Sequence, residues 1–243
     1  MKKALDNGFI SLIRKYSFII ELKIKNMAKK NKEKSYSEAE LVKLFGLTRI
    51  NDSYTPLMAE WLDCTTELSS DEQALFNIIH QDVLKNIAGW QEEDFKMSFI
   101  AFVLHLSYLR NTNAYHTYFE KTISATVEGC FLKTKTDFMV AKGILDLPET
   151  PYFHFQEWKP LKNPTGDSMA QLLEAFLIAQ EQNKNNNPLY GCEIVGKLWS
   201  FVVMEAKTYC ISEAFDCTKK DDLWRIIAIL RKFKEILETR LLN

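Results

Sequence analysis

The spacing of apolar residues changes once along this chain, near residue 110, and that change limits the fold more than any other feature. From Ser37 to about Arg110 they recur at helical intervals. Ser37-x-x-Glu40 precedes LVKLFGL and Ser69-x-x-Glu72 precedes QALFNIIHQDVL, so two helices open on capping boxes. EEDFKMSFIAFVLHLSYLR (residues 92–110) begins with acids and continues with a broad apolar face, as a buried helix does, with His105 expected as a hydrogen-bonded core histidine. Beyond it the period drops to two. TYFEKTISATVEG alternates Phe119, Ile123, Ala125 and Val127 against Glu120, Thr122, Ser124 and Thr126, a half-buried strand. After a break at Glu128-Gly129, FLKTKTDFMVAKG alternates again, which predicts a hairpin. A third strand ends in YFHFQEWKP. A helix capped by Asp167 (DSMAQLLEAFLIAQEQ), a strand from LYGCEIVG, a pair KLWSFVVM and TYCIS, and a long amphipathic helix from KKDDLWRI complete the chain. The expected class is α+β with a largely antiparallel start.

Composition removes several alternatives. The 243 residues can bury a substantial core, and 47% hydrophobic with 12% aromatic residues are globular values. The formal net charge of −1 supplies no global field for nucleic acid or an anionic membrane, so polyanion binding needs a local patch. Five scattered cysteines without a C-x-x-C pair argue for reduced thiols rather than disulfides or zinc. Residues 1–26 have a basic start and apolar stretches, but Arg14 and Lys15 interrupt the run and no small-residue cleavage site follows. They read as an accessory helix or strand, or as an extension upstream of Met27, and they are too short and charged to span a bilayer. A cytoplasmic protein without membrane attachment is expected.

The third strand poses a chemical problem. Glu157 and Lys159 stand two apart at the end of an aromatic run, where burial requires partners. Alternation aligns Phe153, Phe155, Glu157 and Lys159 on one face and Tyr152, His154, Gln156 and Trp158 on the other. Asp137, with Met139 and Ala141 on its face, occupies the matching place on the preceding strand. If the strands are neighbours, two carboxylates and a lysine converge at one end of the sheet. The carboxylates repel unless a cation lies between them. A divalent ion there, with a lysine holding a water, supplies the parts for metal-assisted phosphodiester hydrolysis.

Asp137, followed after nineteen residues by Glu157-Trp158-Lys159, resembles the PD-(D/E)XK nuclease superfamily, the restriction-endonuclease-like fold. The resemblance covers about half the chain and implies a core of helix, three strands, helix and strand (α-β-β-β-α-β) from residue 92. It implies an N-terminal extension (1–36), a helical region (37–91) and a nuclease core with a C-terminal helix (92–243). It further implies that Asp137 and Glu157 bind Mg2+ or Mn2+ and that Lys159 assists the attacking water. Gln171, on the following helix, would lie near the site. Glu92, with Glu93 as the neighbouring choice, would supply the acid of the first core helix. Thr136 stands where the family often has a proline or glycine before the first acid. The implied partner is nucleic acid, DNA in preference to RNA.

Other features are read more plainly. A second triplet, Glu205-Ala206-Lys207, falls between two apolar strands and is expected at an exposed hairpin tip. Lys133, Lys135, Lys142 and Lys162 form either a phosphate-binding rim or an ordinary solvated edge. Trp224, Ile227, Leu230, Phe233 and Leu237 make a stripe on the last helix, core or a homodimer face. The alternative to a nuclease is a non-catalytic binding or assembly module of the same fold.

Overall fold

A computed structural model of the chain describes residues 35–50, 54–161 and 166–242. Residues 1–26 and Lys162, with the readings attached to them, lie outside the described residues. From Tyr36 onward the chain forms one compact unit. Both capping boxes form: Ser37 opens α1 (Glu38–Phe45) and Ser69 opens the third helix. In each, the serine hydroxyl accepts from the N–H three residues on, and the glutamate there accepts from the cap's own N–H. Two of the N–H groups that a first helical turn leaves unpaired are thereby satisfied. A short strand β1 (Thr48–Ile50), α2 (Pro56–Leu62) and α3 (Ser70–Asn86) follow.

Residues 92–110 are helical only as far as Leu106: α4 (Glu92–Phe95), a π-helical turn over Lys96–Ile100, and α5 (Ala101–Leu106). The Ser107 hydroxyl donates to the Val103 carbonyl at 2.7 Å, and Tyr108 turns left-handed with φ 57°. Phe95, Phe99, Val103, Leu104 and Leu106 are buried. His105 is exposed, contrary to the expectation of a core histidine, because its neighbours on both sides take the inner face.

Among the described residues seven strands form one sheet in the order β1-β7-β6-β5-β4-β3-β2, with β2 (His116–Val127), β3 (Cys130–Ile144), β4 (Leu147–Lys159), β5 (Leu189–Val195), β6 (Leu198–Glu205) and β7 (Thr208–Asp216). The pairings β1–β7 and β4–β5 are parallel and the other four antiparallel. The molecule is thus α+β. Helix α6 (Ser168–Asn183) links β4 to β5, as a parallel pair requires a crossover. The closing helix is α7 (Lys220–Ile236). Adjacent strand residues alternate between two apolar clusters: Phe138, Trp158 and Phe201 pack with α2 to α5 and α7, while Met139, Phe155 and Val202 pack with α1 and α6. Helices therefore cover both faces of the sheet. The stripe on the last helix is buried in the chain's own core at Ile227, Leu230 and Phe233 of α7 and at Leu237 in the turn that follows it. Helix α6 comes so near β5 at Gly191 that a Cβ there would lie 2.7 Å from the Phe176 ring and 2.9 Å from the Phe155 carbonyl oxygen.

Two irregularities position the site. At the β2–β3 turn Glu128 and Gly129 both have positive φ, 48° and 81°, the backbone of a two-residue hairpin of primed type. That turn pairs Val127 with Cys130 and, further along, Phe119 with Phe138 and Lys121 with Thr136. Glu120, between those rungs, has φ 56°. Around it the alternation changes phase on both strands. Tyr118, Met139 and Ala141 join the same cluster as Ile123, Val127 and Leu132, although their parity differs. Phe119 consequently does not share a face with Ile123 and Val127 as strict alternation predicted, and parity does not carry from Met139 to Asp137. The second irregularity is a bulge where β4 faces Val140 and Ala141. It sends Phe153 into the first cluster and Phe155 into the second, so those phenylalanines do not share a face either, and Tyr152 joins Phe155.

Candidate active site

The last ladder rung of β3 and β4 is Phe138–Gln156. One residue beyond it on each strand come Asp137 and Glu157, both buried. There the Asp137 carboxylate takes over from the ladder: its Oδ2 accepts the Trp158 backbone N–H at 2.7 Å. Gln156 fixes the Trp158 side chain, accepting from Nε1 at 3.0 Å, while its amide nitrogen lies 3.1 Å from His154 Nε2. Complete burial pushes the His154 pKa down to about 3, which keeps that imidazole neutral.

Lys96 is the hub of the site. Placed by the π turn, its Nζ lies 2.6 Å from Glu92, 2.5 Å from Glu120 and 3.8 Å from Asp137. Lys135 pairs with the other oxygen of Glu120. One carboxylate oxygen each from Glu92, Glu120 and Asp137 fall within 4.8 Å of one another. Lys159 Nζ donates to Glu157 Oε1 at 2.7 Å.

These groups differ in how they carry charge. Burial, and behind it the Asp137 carboxylate, push Glu157 up to about 8 in spite of Lys159. Burial raises Asp137 as well, resisted by the Trp158 N–H and the Lys96 ammonium. Burial works in the same direction at Glu120, but hydrogen bonds from Lys135 and Lys96 overcome it and hold the carboxyl below its usual range. On Lys96 burial acts to lower the pKa, yet Glu120 and Glu92 hold it above the ordinary lysine value. The apparent values of Asp137 and Glu157 belong to the pair. A site of this kind favours an added positive charge.

Of the residues expected from the sequence, Asp137, Glu157, Lys159 and Glu92 come together. Glu157 holds Lys159, while the three-oxygen group consists of Asp137, Glu92 and Glu120. Glu93 stands 3.7 Å from Lys96, mostly exposed. Gln171 is on the first turn of α6, its Oε1 buried without a partner and directed toward Gly166, and no hydrogen bond links it to Asp137, Glu157 or Lys159 among the described residues. Of the four lysines considered for a rim, Lys135 joins the cluster, whereas Lys142 is past the bulge, opposite Glu149. Glu205 and Lys207 are exposed at the β6–β7 tip. Lys96 and Glu120 were missed. The signal for Glu120 was present: a two-residue turn at 128–129 sets Val127 against Cys130, and counting back sets residue 120 against 137. Lys96 stands four residues after Glu92, on the same helix side.

No helix among the described residues is long and apolar enough to cross a membrane. No family model matches the chain, and no curated protein matches it.

Proposed function

We propose that this chain is a metal-dependent phosphodiester hydrolase of PD-(D/E)XK type, a nuclease acting on DNA in preference to RNA. The convergence of Asp137, Glu92 and Glu120 beside a buried, reluctantly ionised Glu157 carries the reading. The donors are all carboxylate oxygens, the hard set that suits Mg2+ or Mn2+. A divalent ion held by Asp137, Glu92 and Glu120, with Glu157 beside them, would polarise a phosphoryl oxygen and lower the pKa of a water. The chain's own groups do the positioning. The Trp158 N–H fixes Asp137 in one orientation. Glu157 steadies Lys159, whose ammonium can orient a water and offset charge that develops on the phosphate. The succession α4 and α5, β2 to β4, α6 and β5 along the chain supports the reading.

One observation favours the second reading, a non-catalytic binding or assembly module. Lys96 and Lys159 already pair with three of these carboxylates, Glu92, Glu120 and Glu157. A cleavage assay in Mg2+ or Mn2+ on linear, circular and single-stranded DNA and on RNA separates the two. The nuclease cuts at least one of these substrates and loses the activity in Asp137→Asn. No cleavage of any substrate, and no rise in melting temperature with either ion, would leave the module.

A further inference from the structure

A cavity of about 510 Å³ opens beside the carboxylate cluster, lined by Met97, Ile100, Phe119 and Trp158 together with Lys96 and Glu120 of the cluster itself. Its size is within the range of small-ligand sites, and a mostly apolar wall with a few polar groups is their usual lining. Two wall residues are unusually bare: Met97 is 70% and Phe119 51% exposed. The phase change at Glu120 is what turns Phe119 out of the strand's buried set, and its ring leans edge-on against Phe138 at 5.3 Å. The π turn that brings Lys96 to the carboxylates also contributes Met97 to the cavity wall.

The cavity and the cluster are continuous. The Lys96 ammonium lies 3.8 Å from Asp137 and 5.9 Å from the centre of the Trp158 ring, so one side chain spans from the acids to the cavity wall. We infer that the cavity receives one unpaired nucleobase, stacked on Phe119, of a strand whose phosphate lies at the Asp137–Glu157 end. This rests on the nuclease reading of the carboxylates and adds a substrate class to it: a single strand, or an end or flap with an unpaired nucleotide. A base within a duplex is stacked on its neighbours and would have to leave the helix to enter, which costs free energy. An aromatic platform accepts every base, since each has a π-face, so little sequence preference accompanies it.

The test uses labelled single-stranded oligonucleotides, each with one abasic residue at a different position, binding the intact chain in calcium. With wild type, an abasic residue at one position should weaken binding about tenfold, and elsewhere hardly at all. Phe119→Ala should bind the intact strand about tenfold more weakly and lose that position dependence, because the base has no platform left. Met97→Ser, at a more exposed site, should reproduce the effect in smaller degree and covers the case in which the Phe119 variant folds poorly. Oligonucleotides that bind and are cut in magnesium, with equal sensitivity at every position or with unchanged affinity in both variants, would overturn the base site and leave the nuclease reading intact. If no single strand is bound or cut while duplex DNA is cleaved, the base site is overturned and the nuclease reading stands; if no nucleic acid of any kind is cleaved, the nuclease reading falls and the base site with it.

Discussion

The chain contains Glu-x-Lys at two strand ends, and the two copies occupy opposite environments. Glu157-Trp158-Lys159 closes β4, which lies between β3 and β5 in the sheet. Glu205-Ala206-Lys207 runs from the end of β6 into a hairpin. Glu157 is 3% exposed and holds its own lysine at 2.7 Å. Glu205 is solvated, and Lys207 turns away to the Phe45 carbonyl and to Glu128. The middle residue separates them most sharply. Trp158 is buried and gives its N–H to Asp137, whereas Ala206 adopts a left-handed turn conformation with φ 48°. Spacing alone therefore carries almost no chemistry. Burial and the acid across the ladder convert the same triplet into a site with a displaced pKa.

The largest expected difference is in activity. Glu157→Gln keeps the shape of the side chain but removes a charge beside the metal oxygens, and divalent-dependent cleavage should fall at least a hundredfold, since such an ion supplies several kcal/mol of transition-state stabilisation. Glu205→Gln should cleave as wild type. Equal rates for Glu157→Gln and wild type would show that any activity resides elsewhere.

The next difference is in the pH dependence of stability. Glu157 titrates near 8 in the folded protein against 4.5 ordinarily. The folded state therefore binds its proton more tightly. Its contribution to stability is fully present below about pH 4.5 and is lost as pH rises to about 8. Without metal, wild type should lose on the order of 5 kcal/mol relative to Glu157→Gln across that window. Glu205→Gln should track wild type throughout. Denaturant unfolding at several pH values in EDTA measures this, and parallel curves for wild type and Glu157→Gln would remove the displaced carboxyl from the account. A divalent ion held by Asp137, Glu92 and Glu120 would favour the ionised form of Glu157 beside it, so metal binding should release a proton below about pH 8.

How much of this was legible in the sequence depends on regularity. The capping boxes at Ser37 and Ser69, the Glu128-Gly129 turn and the succession of strands along the chain after residue 110 were readable because each rests on local chemistry or on a clean period, whereas β1 at Thr48–Ile50, within the stretch read as helical, was not. The faces of Phe119 and Phe153 were not, since a left-handed Glu120 and a bulge at Phe153 break the period that the reading relied on. Both breaks flank the site. Asp137, Glu157 and Lys159 could be found from spacing. Lys96 could not be assigned a role, because only the packing of the π turn over Trp158 brings it to the acids.

Lys96 offers a way to sharpen the contrast between the buried and exposed triplets. Its ammonium stands among oxygens that a divalent ion would also use. Lys96→Met should leave Glu92, Glu120 and Asp137 without their shared cation and destabilise the metal-free protein by about 2 kcal/mol, less than for a fully buried pair because Glu92 remains half exposed. Magnesium should then raise the melting temperature of the variant more than that of wild type. An equal rise in both would mean that lysine and metal do not compete for these oxygens.

The smallest effect belongs to the exposed triplet. Lys207 bridges two turns, donating to the Phe45 carbonyl at the end of α1 and pairing with Glu128 at the tip of the β2–β3 hairpin. Both Lys207 and Glu128 are about half exposed. Water screens the pair, and fixing two flexible side chains costs entropy that offsets most of the attraction. The carbonyl at the helix end can be solvated when the ammonium is removed. Lys207→Ala should accordingly cost about 0.5 kcal/mol, shrink further at high salt, and leave the pH profile and cleavage unchanged. Lys159→Ala should instead leave a carboxylate buried without its cation, push Glu157 further upward and lower cleavage. Measuring both alanine variants by denaturant unfolding at low and high salt compares the two lysines directly. A loss of 2 kcal/mol or more at Lys207 that persists in high salt would show that the exposed triplet is a structural clamp between two hairpins, and that exposure alone does not separate the two copies.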